Sequence, residues 1–238
     1  IRFDLILVGG TLLSFVGLQA ILILSLLVHH LKSDIVASKG FLLLLFALSG
    51  AATLVYLLVW QRLLFTVFGV STETISVVVS VLVFGLGLGS LAGVRSSAQF
   101  PQRPALIFLA CQIVIGLCGL LSRPLISALA DITLHNPPTV LVIACFGLLS
   151  VPILLTGAAL SHLAASWLLT RHRPSTDSDS LVSFYCANIL GAATASFLGA
   201  GVLFAFFDLH TALLLATLLH LIVGGLAVAH DRATTGSA

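Results

Sequence analysis

Long uncharged stretches of apolar residues alternate with short polar stretches along the whole chain. A helix that crosses a bilayer needs about 20 apolar residues, within a range of about 17–25 or more when it is tilted. We predict a transmembrane helix in each of seven such stretches, at residues 5–28, 41–60, 74–94, 105–122, 139–169, 181–207 and 209–229. Helices are favoured over a β-barrel because the stretches are continuously apolar and do not alternate between apolar and polar residues.

The low charge content indicates the same class of protein. Of the 238 residues, 59% are hydrophobic and 8% are charged, and the mean hydropathy is +1.22. A soluble domain carries about 25% charged residues, so this composition excludes a soluble enzyme and a disordered chain. The 10 Lys and Arg residues are too few for a nucleic-acid-binding surface. We predict an all-α integral membrane helix bundle, a single domain over residues 1–238, with the lipid bilayer as its partner and no nucleic acid.

Positive charge is distributed unequally between the two sets of predicted loops. The N-terminal side holds Arg2, Arg62 and Arg123, whereas the other side holds seven Lys and Arg residues. Cytoplasmic loops carry the excess of positive charge, which predicts an N-terminus outside and a C-terminus inside, with a polar cytoplasmic tail at residues 231–238. Because the chain has no Met and begins at Ile1, we expect a processed end or a lost preceding segment.

Three local features refine this topology. Residues 61–73 mix apolar and charged side chains, which predicts a short interfacial helix and a turn closed by Gly69. Residues 123–138 predict a turn-rich cap on the outer side. Pro152 lies inside the fifth apolar stretch and predicts a kink, because proline removes a backbone hydrogen bond.

Small residues recur every four positions on two of the predicted helices. This spacing lets helix backbones approach closely, and van der Waals packing then holds the helices together in lipid. We therefore predict two packing seams, although whether they lie within one chain or between chains is open at this point. The residues are Gly85, Gly89 and Gly93 on the third helix, and Gly191, Ala195 and Gly199 on the sixth.

Four segments between residues 49 and 204 resemble a known family. They read SGAATLVYLLVWQRLLFTVFG (49–69), STETISVVVSVLVFGLGLGSLAG (71–93), PILLTGAALSHLAA (152–165) and FYCANILGAATASFLGAGVLF (184–204). They are similar to the membrane domain of bacterial fused spermidine synthases. The resemblance implies a multi-pass protein of the bacterial inner membrane with a link to polyamines.

The resemblance assigns motif positions to Tyr56, Trp60, Arg62 and Asn188. The family usually has an acidic residue after the tyrosine, where this chain has Leu57. A carboxylate within the membrane is a functional candidate by default, so this replacement removes the group best suited to bind a cation. Tyr and Trp near a helix end are most often interfacial anchors, and we expect that role here. In the family a cytoplasmic aminopropyltransferase domain follows the membrane domain, and we expect that catalytic domain to be absent.

Two histidines, His162 and His220, lie within predicted membrane helices. Each is about 12–15 Å from the cytoplasmic end by helical rise, so the two side chains are able to lie at one level and to ligate a b-type haem or a metal. The alternative, which we favour, is a neutral histidine that hydrogen-bonds to a neighbouring helix. On that reading the protein carries no cofactor and no metal.

Other polar or reactive residues in the apolar stretches give no catalytic set. Gln19, Gln112 and Asn188 are candidates for hydrogen bonds between helices or for the wall of a polar path. The four cysteines, which show no metal-binding spacing, are Cys111, Cys118, Cys145 and Cys186. We therefore expect no catalysis. The favoured function is a non-catalytic subunit that acts as scaffold or accessory to other membrane protein subunits. The alternatives are a small-solute (polyamine-like) transporter or channel and a haem-binding electron-transfer subunit.

Overall fold

The computed structural model describes residues 39–68, 72–132, 138–171 and 177–235. Six long helices lie in these ranges, and the described residues contain no strand. They are α1 (Lys39–Phe68), α2 (Thr72–Gln99), α3 (Pro104–Ile132), α4 (Pro138–Arg171), α5 (Asp177–Leu198) and α6 (Leu209–Thr235). A π-helical turn (Gly199–Leu203) and one helical turn (Phe204–Phe206) connect α5 to α6. The predicted helix at residues 5–28 lies outside the described residues.

All six long helices are long and apolar enough to cross a membrane. The predictions of an all-helical architecture and of a multi-pass membrane protein are confirmed at this level. The total number of spans and the side of the membrane on which each end lies stay predictions.

Several helices extend beyond their apolar stretches. α1 continues to Phe68, so residues 61–68 extend this helix instead of forming a separate interfacial helix. α3 continues through Pro124 to Ile132, so most of the predicted outer cap is helical. Pro152 lies inside α4, and α6 continues to Thr235 into the predicted polar tail. Charged residues are tolerated in these extensions because helix ends reach the polar interface, where long side chains find water.

The helices pack around α1, which has the largest share of buried residues among the six described helices. α1 lies along α5 on one side and along α6 on another, while α2 packs along α4, and α3 connects α4 with α6. Cross-contacts give the relative directions of these helices. Lys39 contacts Ser180, and Leu58 contacts Gly199, so α1 and α5 are parallel. Tyr56 contacts Thr217 in the antiparallel helix α6.

Two clusters of buried side chains form the core of the bundle. The larger cluster surrounds Tyr56 and Trp60 of α1 and includes Leu149 of α4 and Leu213 of α6. The second cluster surrounds Phe46 near the start of α1 and Phe184 of α5, whose rings stack with centroids 5.0 Å apart. Buried polar side chains lie among these apolar residues. The packing of the helices therefore determines which polar side chains contact each other.

Candidate functional site

Five buried polar side chains of α1, α3 and α6 meet at the centre of the bundle. We call this group the polar core and define it as Ser49, Tyr56, Gln112, Thr217 and His220. The hydroxyls of Tyr56 and Thr217 are 2.7 Å apart and share a hydrogen bond between α1 and α6. The Thr217 hydroxyl is also 2.8 Å from the carbonyl oxygen of Leu213, to which it donates. Because an unsatisfied polar group is costly in a low-dielectric interior, such pairing specifies which helices lie together.

His220 of α6 is completely buried and is held through Gln112 of α3. Its Nδ1 lies 2.8 Å from Gln112 Oε1, which is an acceptor only, so Nδ1 carries the proton and donates. The Gln112 amide donates in turn to the Ser49 hydroxyl of α1 over 3.4 Å. Three helices are therefore connected by one chain of hydrogen bonds. The remaining ring nitrogen, Nε2, is buried and has no hydrogen-bond partner among the described residues.

Three aromatic rings stack at the same place. Tyr56 lies between Trp60 and His220, with ring centroids 5.6 and 5.2 Å away and interplanar angles of 5° and 11°. Gly119 of α3 makes room for this stack, because a Cβ added there would overlap the Tyr56 ring. A glycine at this position is therefore required by the close approach of the phenol.

The predicted interfacial role of Tyr56 and Trp60 is corrected by this arrangement. Both side chains are 1% exposed, and they lie well inside α1 because the helix continues for two further turns to Phe68. Arg62, the third residue of the motif, places its guanidinium 3.8 Å from the ring centroid of Phe204, a cation–π contact. Leu57, which takes the position of the acidic residue, is buried in the larger core cluster.

His162 of α4 occupies a different contact, against α2. The Ser96 hydroxyl donates to the carbonyl oxygen of Gly93 at 2.9 Å. It therefore accepts from His162 Nδ1, which lies 2.8 Å away. His162 is 1% exposed, and its Nε2 is buried without a hydrogen-bond partner in the described part of the chain.

The structure places the two membrane histidines in separate helix contacts. His162 bonds to α2, whereas His220 bonds to α3 and stacks on α1. Their own helices, α4 and α6, do not share an extended contact. Each Nδ1 serves a hydrogen bond between helices, as expected for histidines that connect helices. No group of three or more His, Cys, Asp or Glu side chains able to hold a metal occurs within the described ranges.

The glycines of α2 lie against α4. A Cβ added at Gly85 would approach Ile153 Cγ2 to 2.6 Å, and one added at Gly89 or Gly93 would overlap the carbonyl oxygen of Leu154 or Ala158. Gly157 of α4 takes the same close position against α2 from the other side. The two backbones are in direct contact, so we name this interface the α2–α4 seam.

The second set of small residues lies between α5 and α1. A Cβ at Gly191 would overlap the carbonyl oxygen of Ala47, and one at Gly199 would come within 2.6 Å of Leu58 Cδ1. Gly50 of α1 contributes in the opposite direction, against the backbone of Asn188. The Asn188 side chain donates to the carbonyl oxygen of Phe46 at 3.1 Å, and so it adds a hydrogen bond to the packing of small residues. Ala195 lines a groove beside this contact.

A cleft opens between α5 and the α2–α4 pair, with α1 as its floor. It consists of two adjoining cavities of about 740 and 510 Å³ that share Leu86, Ser90, Tyr185 and Asn188. We call it the α5 cleft. Its lining is mostly apolar, with a few hydroxyls and the Asn188 amide. Cys186 also lines it and is an exposed free thiol.

Several residues of this site were not singled out by the sequence alone. Ser96, Ser49 and Thr217 each provide the partner of a candidate residue. Hydroxyl residues are frequent in membrane helices and usually bond to their own backbone. No pattern in the sequence distinguishes the few that also bond across a helix contact.

Comparison with known proteins finds one similar sequence. Over 168 residues, or 69% of this chain, the sequence is 32% identical to polyamine aminopropyltransferase 1 of Streptomyces coelicolor. The matched part covers 28% of that relative's length. No protein-family model and no solved structure matches the chain. The match supports the predicted spermidine-synthase-like relationship, while correspondence to the membrane domain alone stays a prediction.

Proposed function

We propose that this chain is a non-catalytic transmembrane module that acts as scaffold or accessory subunit of a larger membrane complex containing an aminopropyltransferase. The observation that carries the proposal is the 32% identity to a polyamine aminopropyltransferase over 168 residues, or 69% of this chain. The interior of the described bundle supports it, because the side chains of Tyr56, Gln112, Thr217 and His220 are engaged in hydrogen bonds between helices. Such groups define packing and do not offer a paired acid and base to a substrate.

The test is co-purification with a defined activity. The full chain carries an affinity tag, is extracted from bacterial membranes in a mild detergent, and is assayed for aminopropyl transfer to a polyamine acceptor. We expect an aminopropyltransferase polypeptide and its activity to elute with the tagged chain. Gly89→Leu, which breaks the α2–α4 seam, should abolish this co-elution, and Gly147→Leu should preserve it because a side chain added at Gly147 meets open space.

Two results would contradict the scaffold role. Elution of a monomer or a simple homodimer without an aminopropyltransferase would show that the chain forms no such complex. Activity that stays with the isolated chain after every other polypeptide has been removed would make the module itself catalytic.

A transporter for small solutes is the second candidate, and the α5 cleft is the observation that favours it. The linings of its two cavities contain no Asp or Glu, so a polycation would find hydroxyls, one amide and aromatic rings there. Neutral or monocationic solutes fit that chemistry better. Uptake of labelled putrescine or spermidine into vesicles containing the protein tests this function. Uptake equal to that of empty vesicles for a range of solutes would rule it out.

The haem-binding alternative depends on the two buried Nε2 atoms that lack partners, at His162 and His220. An optical spectrum of the purified protein after reduction with dithionite decides it. We expect a colourless protein, because the two rings belong to separate helix contacts. A Soret band with sharp α and β peaks that His162→Ala or His220→Ala removes would establish haem ligation instead.

A further inference from the structure

α5 is far less covered by protein than its neighbour α1. In the most apolar 18-residue window of each helix, 6% of residues are buried for α5 and 56% for α1. Of the six helices, α5 also has the lowest mean hydropathy. A helix that faces lipid on most of its surface is expected to be the more apolar one. The combination indicates that another element covers part of α5.

The α5 cleft is the part of this surface least suited to lipid. It exposes the backbone at Gly87, where a Cβ would meet nothing within 4 Å, and it is lined by Ser90 and Ser161. The Asn188 amide makes one hydrogen bond within the described structure but has further donor and acceptor sites. Hydrocarbon chains cannot satisfy the hydroxyl and amide groups of these side chains, so a helix that carries a polar side chain suits the cleft better than lipid does.

The groove on the opposite side of α5, between α5, α1 and α6, differs in chemistry. Its lining is almost entirely apolar, with Leu190, Leu198 and Phe207 at its surface and Thr194 as the one hydroxyl residue. The Thr194 hydroxyl already donates to the carbonyl oxygen of Leu190 at 2.8 Å. Acyl chains of lipids suit this groove, and it needs no further protein.

The chain itself contains a candidate occupant for the α5 cleft. Residues 5–28 are 24 uncharged residues, long enough to span a bilayer, and they precede α1 directly. The ten residues from 29 to 38 reach up to about 33 Å when extended, whereas packed helices lie about 8–10 Å apart. The start of α1 is also the end at which the cleft opens, since Lys39 bonds to Ser180 and Leu181 lines the cleft.

We propose that residues 5–28 form a helix that occupies the α5 cleft, antiparallel to α1 and α5, with Gln19 facing Asn188. Gln19 is nine residues from Val28, or about 13 Å by helical rise, and Asn188 is eight residues from Ser180, or about 12 Å, so the two amides fall at one depth. Phe15 and Ile23 share the Gln19 face of such a helix, at positions four residues away on either side. Bulky side chains there fill the space over the small residues of the cleft. This inference is independent of the proposed scaffold role.

Disulfide cross-linking in native membranes tests the proposal with a thiol that the chain already has. Cys186 stays in place and the other three cysteines are replaced by Ala. Single cysteines are then introduced on the Gln19 face, as Leu22→Cys and Ile23→Cys, and on the opposite face, as Ile21→Cys and Leu24→Cys. After oxidation, mass spectrometry of the peptides measures the disulfide within one chain. We expect at least a fivefold higher yield for the Gln19 face.

A matched pair of glycine variants tests whether the cross-link depends on open space in the α5 cleft. Gly87→Leu fills the proposed position of the helix, whereas Gly225→Leu adds the same side chain at another open glycine, on α6. The first variant should reduce the cross-link several-fold, and the second should leave it unchanged.

Four outcomes would overturn the proposal. Equal yields from both faces, or no cross-link at all, would mean that lipid or another protein fills the cleft. A disulfide between two chains would identify a second copy as the occupant. Preferential cross-linking to Thr194→Cys, in a Cys186→Ala background, would place residues 5–28 in the opposite groove.

Discussion

The α2–α4 seam and the polar core hold helices together in different ways. At the seam, glycines bring backbones into contact, and added side chains would overlap carbonyl oxygens of Leu154 and Ala158. In the polar core, α1, α3 and α6 keep full-sized side chains between them, joined by hydrogen bonds through Gln112 and His220. The seam requires glycines because a side chain does not fit there, whereas the polar core requires particular side chains that form hydrogen bonds.

This difference follows from the bilayer as a solvent. Lipid tails are as apolar as the side chains of leucine, so burial of apolar surface does not bring helices together there. Close van der Waals packing and hydrogen bonds between helices remain. Because a packing clash cannot be relieved by a different partner, whereas a lost hydrogen bond often can, we expect the seam to be the less tolerant of the two.

The largest expected effect is that of Gly89→Leu at the seam. The new side chain meets the Leu154 carbonyl oxygen, which must move with its helix, and we expect a loss of about 3 kcal/mol or more in unfolding free energy. Thermal unfolding in detergent measures it. Gly147→Leu on α4 is the control, since its side chain enters open space. Equal destabilisation by both variants would show that the seam is not a tight contact.

The two buried histidines provide the next comparison. His220→Leu leaves the Gln112 oxygen without its partner and removes one ring from the stack on Tyr56, so we expect a loss of about 2 kcal/mol. His162→Leu should cost about half as much, because Ser96 still donates to the Gly93 carbonyl oxygen. Unfolding of both variants under the same conditions gives the ratio. A larger loss of unfolding free energy for His162→Leu than for His220→Leu would contradict the view that polar side chains contribute more to the polar core than to the α2–α4 seam.

Tyr56→Phe isolates a single hydrogen bond of the polar core. The ring and its stacking stay, and Thr217 continues to donate to the Leu213 carbonyl oxygen, so we expect a loss of about 0.5–1 kcal/mol. Thr194→Val, which removes an exposed hydroxyl that donates to the carbonyl oxygen of Leu190 in its own helix, should change stability by less than about 0.5 kcal/mol. The thermal midpoints of the two variants are compared with that of the unmodified chain. Equal thermal midpoints of the two variants would mean that the hydrogen bond between Tyr56 and Thr217 makes no net contribution to stability.

An effect as small as that of Tyr56→Phe is expected outside the membrane-spanning helices, at Asp208. Hydrogen bonding to the Thr211 side chain lowers the pKa of Asp208, and the amides of His210 and Thr211, 3.2 and 3.3 Å from its carboxylate, act in the same direction. Asp208 thus caps the start of α6, and Asp208→Ala should cost about 0.5–1 kcal/mol.

The pH dependence of this cap has a defined sign. Because the folded-state pKa of Asp208 is lowered, its stabilising contribution is complete above the ordinary value of about 3.9 and is lost as the pH falls through the lowered folded value. The difference in thermal midpoint between the unmodified chain and Asp208→Ala should be constant near neutral pH and should shrink below about pH 4. A difference that grows on acidification would contradict the capping role.

The class of protein and the approximate positions of the described helices follow from the amino-acid sequence alone. Uncharged stretches of sufficient length require helices in a bilayer because no water satisfies backbone groups there. The same argument locates the six described helices to within several residues at most ends. It fails at the ends of α1 and α3, because charged residues such as Arg62 and Arg123 end the apolar stretch although the helix continues. The spacing of Gly85, Gly89 and Gly93 likewise indicated a close contact face before any partner was known.

Only the tertiary structure decided which faces meet. Tyr56 and Trp60 are typical of an interface by residue type, yet they stack in the core because α6 brings His220 and Thr217 opposite them. His162 and His220 have similar sequence environments but separate partners on different helices. The physical reason is that helix formation in lipid depends on local backbone hydrogen bonds, whereas helix pairing depends on shape and on a few polar groups far apart in sequence. A one-dimensional pattern contains the first kind of information and not the second.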